Sequence, residues 1–174
     1  SHSSAASDVY KRQQLNLPGK MYTFNYSFPS TLRGYDRYAQ GDNFVDTQNV
    51  ASVIEGEIYP ESYLIITGHL DHVGINGDEV YNGADDNGSG TVSILEIAQA
   101  FQEAVEDGVR PKRSVVFLHV SGEEEGLLGS EYYVNNSLYP LENTFATLNL
   151  DMIGRTDPNR GYEDEEYVLS LIHI

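Results

Sequence analysis

The chain has 174 residues, of which 40% are hydrophobic, and a formal net charge of -17 at pH 7. This length fits about one domain, and so strong a negative charge argues against nucleic acid as a partner because phosphate would be repelled. Because the chain has no cysteine, thiolate metal sites and cysteine nucleophiles are excluded, and any metal has to be bound by histidine and carboxylate side chains.

The two ends of the chain are related through the DNA that would encode them. The string GATGTGTATAAGAGACAG encodes Asp8–Gln13, and its reverse complement encodes Leu169–Ile174. The string resembles a transposon-end adapter used to fragment DNA for sequencing, so we expect residues 1–13 and 169–174 to be foreign. A native segment of residues 14–168 would remain, and His173 is rejected as a ligand. Native codons for these ends in the source gene would contradict this expectation.

Apolar patterns predict four strands. Residues 14–47 have no clear period and are expected to form an entry segment with one strand at most. Beyond it, alternating or continuous apolar runs are typical of strands, and they cover Asn49–Ile58, Tyr63–Thr67, Ser114–Val120 and Phe145–Leu150. Tyr59–Ser62, which contains Pro60, is interpreted as a turn. The apolar runs are too short to span a membrane.

Helical patterns lie between these strands. The segment Ile75–Gly90 is rich in Gly, Asp and Asn and is predicted to be a loop. An apolar stripe then indicates a helix that is capped by Ser89 and ends near Gly108. Gly126–Asn135 is interpreted as a second, short helix. Strands that alternate with helices predict an α/β fold with a mostly parallel central sheet and helices on both faces.

Acidic residues and histidines follow the apolar strands where these strands end. They are His69 and Asp71, Glu123–Glu125 and Asp151, with Asp85 and Asp86 in the loop before the first helix. In an open α/β sheet, ligands bind outside the carboxyl ends of the strands, so we expect these groups to share one edge. Since no Lys or Arg lies inside the clusters, a divalent metal is the expected counter-charge. Imidazole mixed with carboxylate suits zinc, with cobalt and manganese as alternatives.

Each cluster by itself has a simpler interpretation. An Asp-Asp-Asn-Gly run is usually a turn, the Glu123–Glu125 run can complement a helix dipole, and Asp151 can cap a helix. These interpretations would all have to hold at one sheet edge, so we favour a metal site. His119 lies in the middle of an apolar strand and is expected to be structural. A structural role, or a place at the rim of the site, is expected for His72.

The motifs GHLDHVG, YNGADDNGSG, SGEEEGLLGS and NLDMIGR, in this order and spacing, resemble the M28 family of zinc aminopeptidases over about Asn49–Arg155. The resemblance implies a zinc-exopeptidase (phosphorylase/hydrolase-like) fold that is incomplete at the C-terminus. It also implies two Zn²⁺ ions as cofactors, peptide or protein N-termini as substrates, and a secreted or periplasmic location.

The resemblance further implies the metal ligands. His69 and Asp151 would bind the first zinc, Glu124 the second, and Asp86 would bridge the two ions. The bridging Asp of the family stands four residues before the Gly of a Ser-Gly pair, and counting back from Gly90 gives Asp86 rather than Asp85. The same resemblance places a cis peptide bond directly after Asp86.

Two further residues match catalytic positions of the family. Glu123 would be the general base, and Asp71 would orient the imidazole of His69. The family also has a histidine ligand of the second zinc near its C-terminus, and no residue is assigned to it here. We therefore expect low activity of this chain alone.

Two alternatives to an aminopeptidase stay open. One is a single-zinc acyltransferase that resembles glutaminyl cyclase, and the other is a non-catalytic binding domain of the same fold. The number of zinc ions per chain distinguishes the acyltransferase from a two-zinc aminopeptidase. A loss of metal ligands is typical of the non-catalytic domain. The amino acid preference, carboxypeptidase or dipeptidase activity, and the oligomeric state also stay open.

Overall fold

The computed structural model describes residues 20–29, 44–155 and 171–173. Its strands are β1 (Lys20–Pro29), β2 (Phe44–Ile54), β3 (Tyr59–His69), β4 (Gly74–Asn76), β5 (Glu79–Tyr81), β6 (Arg113–Val120), β7 (Thr144–Asn149) and β8 (Leu171–His173). Its α-helices are α1 (Gly90–Glu106) and α2 (Leu128–Asn135), and a 3₁₀ turn covers Leu141–Asn143. The segment Ala84–Ser89, which we call the π-helical turn, is kinked because Asp86 and Asn87 have non-helical backbone angles. Residues 1–13, 169, 170 and 174 lie outside the described residues, and the foreign origin of both ends stays a prediction.

Six of the described strands form one sheet in the order β1-β2-β6-β3-β7-β8. The central strand β3 pairs in parallel with β6 and β7. The outer strands β1, β2 and β8 are antiparallel to their neighbours. The predicted α/β fold is confirmed, and the parallel part of its sheet is the centre, where the carboxyl ends of three strands meet.

One helix covers each face of this sheet. On one face, Ile94 and Ala98 of α1 pack with Ile66 and Phe117 of the sheet. On the other face, Tyr133 of α2 packs on a cluster that includes residues of β2, β3 and β6. Because β6 is covered on both sides, all of its residues from Ser114 to Val120 are buried, which explains the continuous apolar run in the sequence.

The predicted turn at Tyr59–Ser62 is wrong. These residues belong to β3, and the chain turns earlier, between β2 and β3. The pairing of β3 with β6 moves from Tyr59–Arg113 directly to Tyr63–Ser114, so the intervening residues form a bulge. A bulge accommodates Pro60, which has no N–H to donate to the ladder. Its carbonyl oxygen instead accepts a hydrogen bond of 2.7 Å from Oγ of Ser114.

The predicted loop Ile75–Gly90 contains regular structure. Strands β4 and β5 form a hairpin, and Gly77 in its turn has a φ of 62°. Asn76 pairs with Glu79, so the two turn residues are Gly77 and Asp78, and a Gly-Asp pair between two strands is a hairpin signal. The predicted cap Ser89 makes no side-chain cap hydrogen bond, because its hydroxyl donates to the carbonyl oxygen of Asp85 at 2.7 Å.

The end of α1 agrees with the sequence. The helix ends at Glu106, and Gly108 follows it with a left-handed φ of 83°. In the described part of the chain, no helix is long and apolar enough to cross a membrane.

Candidate metal centre

The acidic and histidine clusters meet at the carboxyl edge of the three parallel strands. His69 is the last residue of β3, Asp151 follows the end of β7, and Glu123 and Glu124 lie in the loop after β6. Asp86 reaches the same place from the π-helical turn that precedes α1. Since β6, β3 and β7 are neighbours in the sheet, segments far apart in the chain converge at one point.

Nε2 of His69 lies close to two carboxylates. This atom lies 3.1 Å from Oδ1 of Asp86 and 3.5 Å from Oδ1 of Asp151. These three residues offer ligand atoms that all lie within 4.8 Å of one another. The His69 side chain is 2% exposed, whereas the side chains of Asp86 and Asp151 are 44% and 33% exposed.

Several atoms of this centre lack hydrogen-bond partners. Nε2 of His69, Oδ1 of Asp151 and Oε1 of Glu124 are buried, and none makes a hydrogen bond within the described residues. A buried polar atom without a partner is costly, and buried charges are normally paired or bound to a metal. One imidazole with several carboxylates is a donor set that zinc accepts. The residues present therefore fit a bound zinc ion.

Asp71 connects His69 to the loop after β6. Its carboxylate accepts the backbone N–H groups of Glu123 at 3.1 Å and Glu124 at 3.2 Å. Nδ1 of His69 lies 3.0 Å from the carbonyl oxygen of Asp71 and 3.7 Å from its Oδ1. An N–H at Nδ1 that faces these oxygens leaves the lone pair on Nε2, which is the nitrogen that points at Asp86.

The charges of the centre shift its protonation. Burial alone would lower the pKa of His69, but the carboxylates of Asp71, Asp151 and Glu123 raise it to about 9. Burial and the negative charges of Asp86 and Glu123 raise the pKa of Glu124 to about 7. The pKa of Glu123 is also raised, first by burial and then by neighbouring carboxylates, although His69 opposes this. Groups crowded with like charge gain protons in the absence of a metal ion.

The structure separates Asp85 from Asp86. Oδ1 of Asp86 faces His69. Oδ1 of Asp85 instead accepts the backbone N–H of Gly154 at 2.9 Å, and Oδ2 lies 3.3 Å from Nε of Arg155. The peptide bond between Asp86 and Asn87 is cis, as the resemblance predicts. The geometry thus directs Asp86, and not Asp85, at the histidine.

Two buried asparagines support the site and were missed in the sequence. Nδ2 of Asn87 donates to the carbonyl oxygen of Leu150 at 2.9 Å, and its Oδ1 accepts the N–H of Gly90 at 3.0 Å. Asn49 is fully buried, and it accepts the N–H of Ser121 and donates to the carbonyl oxygen of Gly129. An asparagine inside an otherwise alternating strand is the signal that could have revealed Asn49.

His119 and His72 do not belong to the group of ligand atoms around His69. His119 is fully buried within β6, and its Nε2 lies 3.2 Å from the carbonyl oxygen of Thr91. This contact agrees with the structural role predicted for it. His72 is exposed, and the carbon skeleton of its side chain packs against Gly83.

Comparison with known proteins assigns the family. The sequence model described as peptidase family M28 matches residues 49–172, which is well over half of the chain. The chain belongs to peptidase family M28. This assignment agrees with the order of the motifs and with the geometry around His69.

Individual M28-related proteins and structures are similar over part of the chain. Leupeptin-inactivating enzyme 1 of Streptomyces exfoliatus is 42% identical over 105 residues, which cover 59% of this chain and 22% of that protein. The structure of BSAP, a zinc aminopeptidase from Bacillus subtilis, is 31% identical with a TM-score of 0.53, and the match covers 63% of this chain and 25% of that one.

A further solved structure shares the fold. The Porphyromonas gingivalis glutaminyl cyclase has a TM-score of 0.66 at 18% identity, over 87% of this chain and 52% of that one. Identity this low supports a common fold alone. This chain spans from 14% to 27% of the length of the curated relatives that it matches.

Proposed function

We propose that the protein is a metal-dependent exopeptidase that removes N-terminal residues from peptides with two zinc ions. The observation that carries this proposal is the convergence of Nε2 of His69 with Oδ1 of Asp86 and Oδ1 of Asp151. Membership of peptidase family M28 supports hydrolysis of peptides. The similarity to the structure of a zinc aminopeptidase supports zinc as the metal and the N-terminus of the peptide as the end that is cleaved.

We propose the metal ligands that the resemblance to the family implies. His69 and Asp151 would hold the first zinc, Asp86 would bridge the two ions, and Glu124 would bind the second. The unpartnered Oε1 of Glu124 supports its part in this set. The second zinc has fewer assigned ligands than the first, so we expect this chain alone to hold it more weakly and to hydrolyse slowly.

Glu123 is the proposed proton carrier. When bound, the zinc ions would act as Lewis acids that lower the pKa of water and polarise the scissile carbonyl. The Glu123 carboxylate would take a proton from the attacking water and deliver it to the leaving amine. Burial and neighbouring carboxylates raise the pKa of Glu123, and a carboxylate that is more basic than usual suits this role.

A matched pair of variants tests the base. We expect Glu123→Gln to lower the release of nitroaniline from aminoacyl-4-nitroanilides by about 10²–10⁴-fold, the range typical of a lost acid–base group. Glu125→Gln changes the same run of glutamates at a position with no proposed catalytic role and is expected to keep the activity. The assay would use this chain and the product of the whole source gene, each with and without a chelator. Equal loss in both variants, or release that a chelator leaves unchanged, would contradict the proposal.

Zinc stoichiometry tests the alternative of a single-zinc acyltransferase. The described residues bring together one group of imidazole and carboxylate ligands around His69, which is compatible with one tightly held ion. Two zinc ions per chain in the product of the whole gene would support the peptidase. One zinc ion with cyclisation of N-terminal glutamine, and no hydrolysis of nitroanilides, would support the acyltransferase instead.

A further inference from the structure

Asp85 precedes the proposed bridging ligand, yet its carboxylate binds a different part of the chain. Oδ1 accepts the N–H of Gly154 at 2.9 Å, and Oδ2 lies 3.3 Å from Nε of Arg155. The Asp85 side chain is only 16% exposed, whereas that of Arg155 is 82% exposed. The Gly154 backbone and the Arg155 side chain are both exposed, so each of the two contacts is expected to contribute modestly.

Further contacts join the same two segments. Oγ of Ser89 lies 3.2 Å from Oδ1 of Asp85 and accepts the N–H of Ile153 at 3.1 Å. On the other side of Asp151, Asn87 donates to the carbonyl oxygen of Leu150 at 2.9 Å. The π-helical turn thus binds the segment that carries Asp151 both before and after this ligand.

Gly154 provides independent evidence that the two segments are closely apposed. A Cβ atom at this position would lie 2.8 Å from Oδ1 of Asp85 and 3.2 Å from Cβ of Ser89. Contacts under 3.0 Å are not tolerated without a shift of one partner. A side chain at Gly154 would therefore displace the Asp85 carboxylate from its present position.

We propose that Asp85 is a positioning residue that sets the separation of Asp86 and Asp151. Asp85 is bonded to Asp86 along the chain, and it holds the backbone three residues after Asp151, so a change in this contact moves one ligand relative to the other. The two ligand oxygens lie 3.1 Å and 3.5 Å from Nε2 of His69. This inference rests on the proposed function in one respect, which is that Asp86 and Asp151 bind zinc.

Zinc affinity is the direct test. Zinc would be titrated into the 174-residue chain against a competing chelator. We expect Asp85→Ala to weaken zinc binding by about 10–100-fold, the usual effect of losing a group that supports a ligand. Asp85→Asn should lose less than about tenfold, because its amide oxygen can still accept the N–H of Gly154. The control is Asp78→Ala, which removes an acidic side chain from the exposed hairpin turn and should bind zinc as the parent does.

A variant on the opposite segment approaches the contact from its other side. Gly154→Ala should also weaken zinc binding several-fold, because the added methyl group displaces the Asp85 carboxylate. The absorption spectrum of bound Co²⁺ should change in both Asp85→Ala and Gly154→Ala, since it reports ligand geometry. A loss of general stability would instead lower the melting temperature of the metal-free chain and leave the Co²⁺ spectrum alone.

The outcomes separate this inference from the proposed function. Parent-like zinc affinity and Co²⁺ spectra in Asp85→Ala, or in Gly154→Ala if Asp85→Ala does not fold, would overturn the positioning role. A parent chain that binds zinc and whose whole-gene product hydrolyses no nitroanilide would contradict the peptidase, and the ratio of zinc affinities would still decide the role of Asp85.

Discussion

Polar groups at the carboxyl edge of the sheet fall into two sets that use their hydrogen-bonding capacity differently. The supporting carboxylates, Asp71 and Asp85, accept backbone N–H groups from neighbouring loops. The proposed metal ligands, which we call the ligand group, are His69, Asp86, Glu124 and Asp151. Three of them, His69, Glu124 and Asp151, each have a buried atom without a hydrogen-bond partner in the described segments. A satisfied carboxylate stabilises the fold directly, whereas an unsatisfied one needs a cation.

This difference shows why residue type alone does not identify a ligand. Asp85 and Asp86 are chemically identical neighbours, yet one binds the backbone of Gly154 and the other faces His69. The two sets should therefore respond in opposite ways when charge is removed. Loss of a ligand should lower the zinc affinity but raise the stability of the metal-free protein. Loss of a supporting carboxylate should lower both the zinc affinity and this stability.

The largest effect is expected for Glu124→Gln. Zinc binding should weaken by more than roughly 100-fold at the site that Glu124 serves, because a ligand is lost outright. At pH 8 the melting temperature of the metal-free protein should rise by about 2–4 °C, since a crowded charge is removed and solvent screening limits the gain. Isothermal titration and calorimetry measure both quantities. A lower melting temperature would place Glu124 with the supporting carboxylates.

Asp71→Asn should have an intermediate effect and the opposite sign on stability. Its amide NH₂ would face the N–H of Glu123 or Glu124, so one buried donor loses its acceptor at a cost of about 1–3 kcal/mol. Zinc affinity should fall by about 10–100-fold because His69 loses its support. Chemical denaturation of the metal-free protein and zinc titration test this. Unchanged stability combined with lost zinc affinity would move Asp71 into the ligand group.

Zinc binding should depend on pH in a direction fixed by the ligand group. In the metal-free fold the pKa of His69 is raised to about 9 and that of Glu124 to about 7, so zinc has to displace their protons. Apparent affinity should fall about tenfold per pH unit as the pH drops from 9 to 7, and more steeply below 7. Competition titrations at several pH values measure this slope. A flat profile would contradict the raised pKa of His69.

The same shifts predict the stability of the metal-free protein. The pKa of His69 in the folded protein lies above its usual value. The stability that His69 contributes is therefore fully present below about pH 6.5 and is lost as the pH rises through about 9. The raised pKa of Glu124 acts in the same direction between its usual value and about 7. Melting temperatures should therefore decrease as the pH rises across this range.

The smallest effect concerns the backbone after the glutamate loop. Leu127 has a left-handed φ of 63° and is 56% exposed. Its side chain therefore contributes little packing, and its backbone is strained because the residue is not glycine. Leu127→Gly should raise the free energy of unfolding by about 0.5–1 kcal/mol. Val134→Gly, an exposed position inside α2, is the control and should lower it by a similar amount. Destabilisation by Leu127→Gly would show that this leucine packs usefully.

Much of the fold followed from the sequence because its patterns are local. The buried run of β6, the apolar stripe of α1 and the glycine after α1 each produce a signal within a few residues. The errors came from tertiary pairing. Pro60 indicates a turn locally, but a bulge against β6 incorporates it into β3. Strands β4 and β5 have only three residues each, too short for a periodic pattern.

The side chains that converge at the candidate site were easier to predict from the sequence than the groups that support them. Chemistry and motif order indicated His69 and Asp86, because a ligand must be a particular residue type at a particular place. Asp85, Asn87 and Asn49 act through hydrogen bonds to distant backbone groups. Such partners depend on which loops become neighbours, and the linear sequence does not reveal this.

The strand order has a consequence for how the site is assembled. His69 ends the strand at the middle of the parallel trio, but its two neighbours β6 and β7 are contributed by segments much later in the chain. Contacts between such remote segments form slowly because long loops have to close first. The complete ligand group therefore cannot exist in a nascent chain that lacks β7. Zinc should bind late in folding and stabilise a sheet that has already formed.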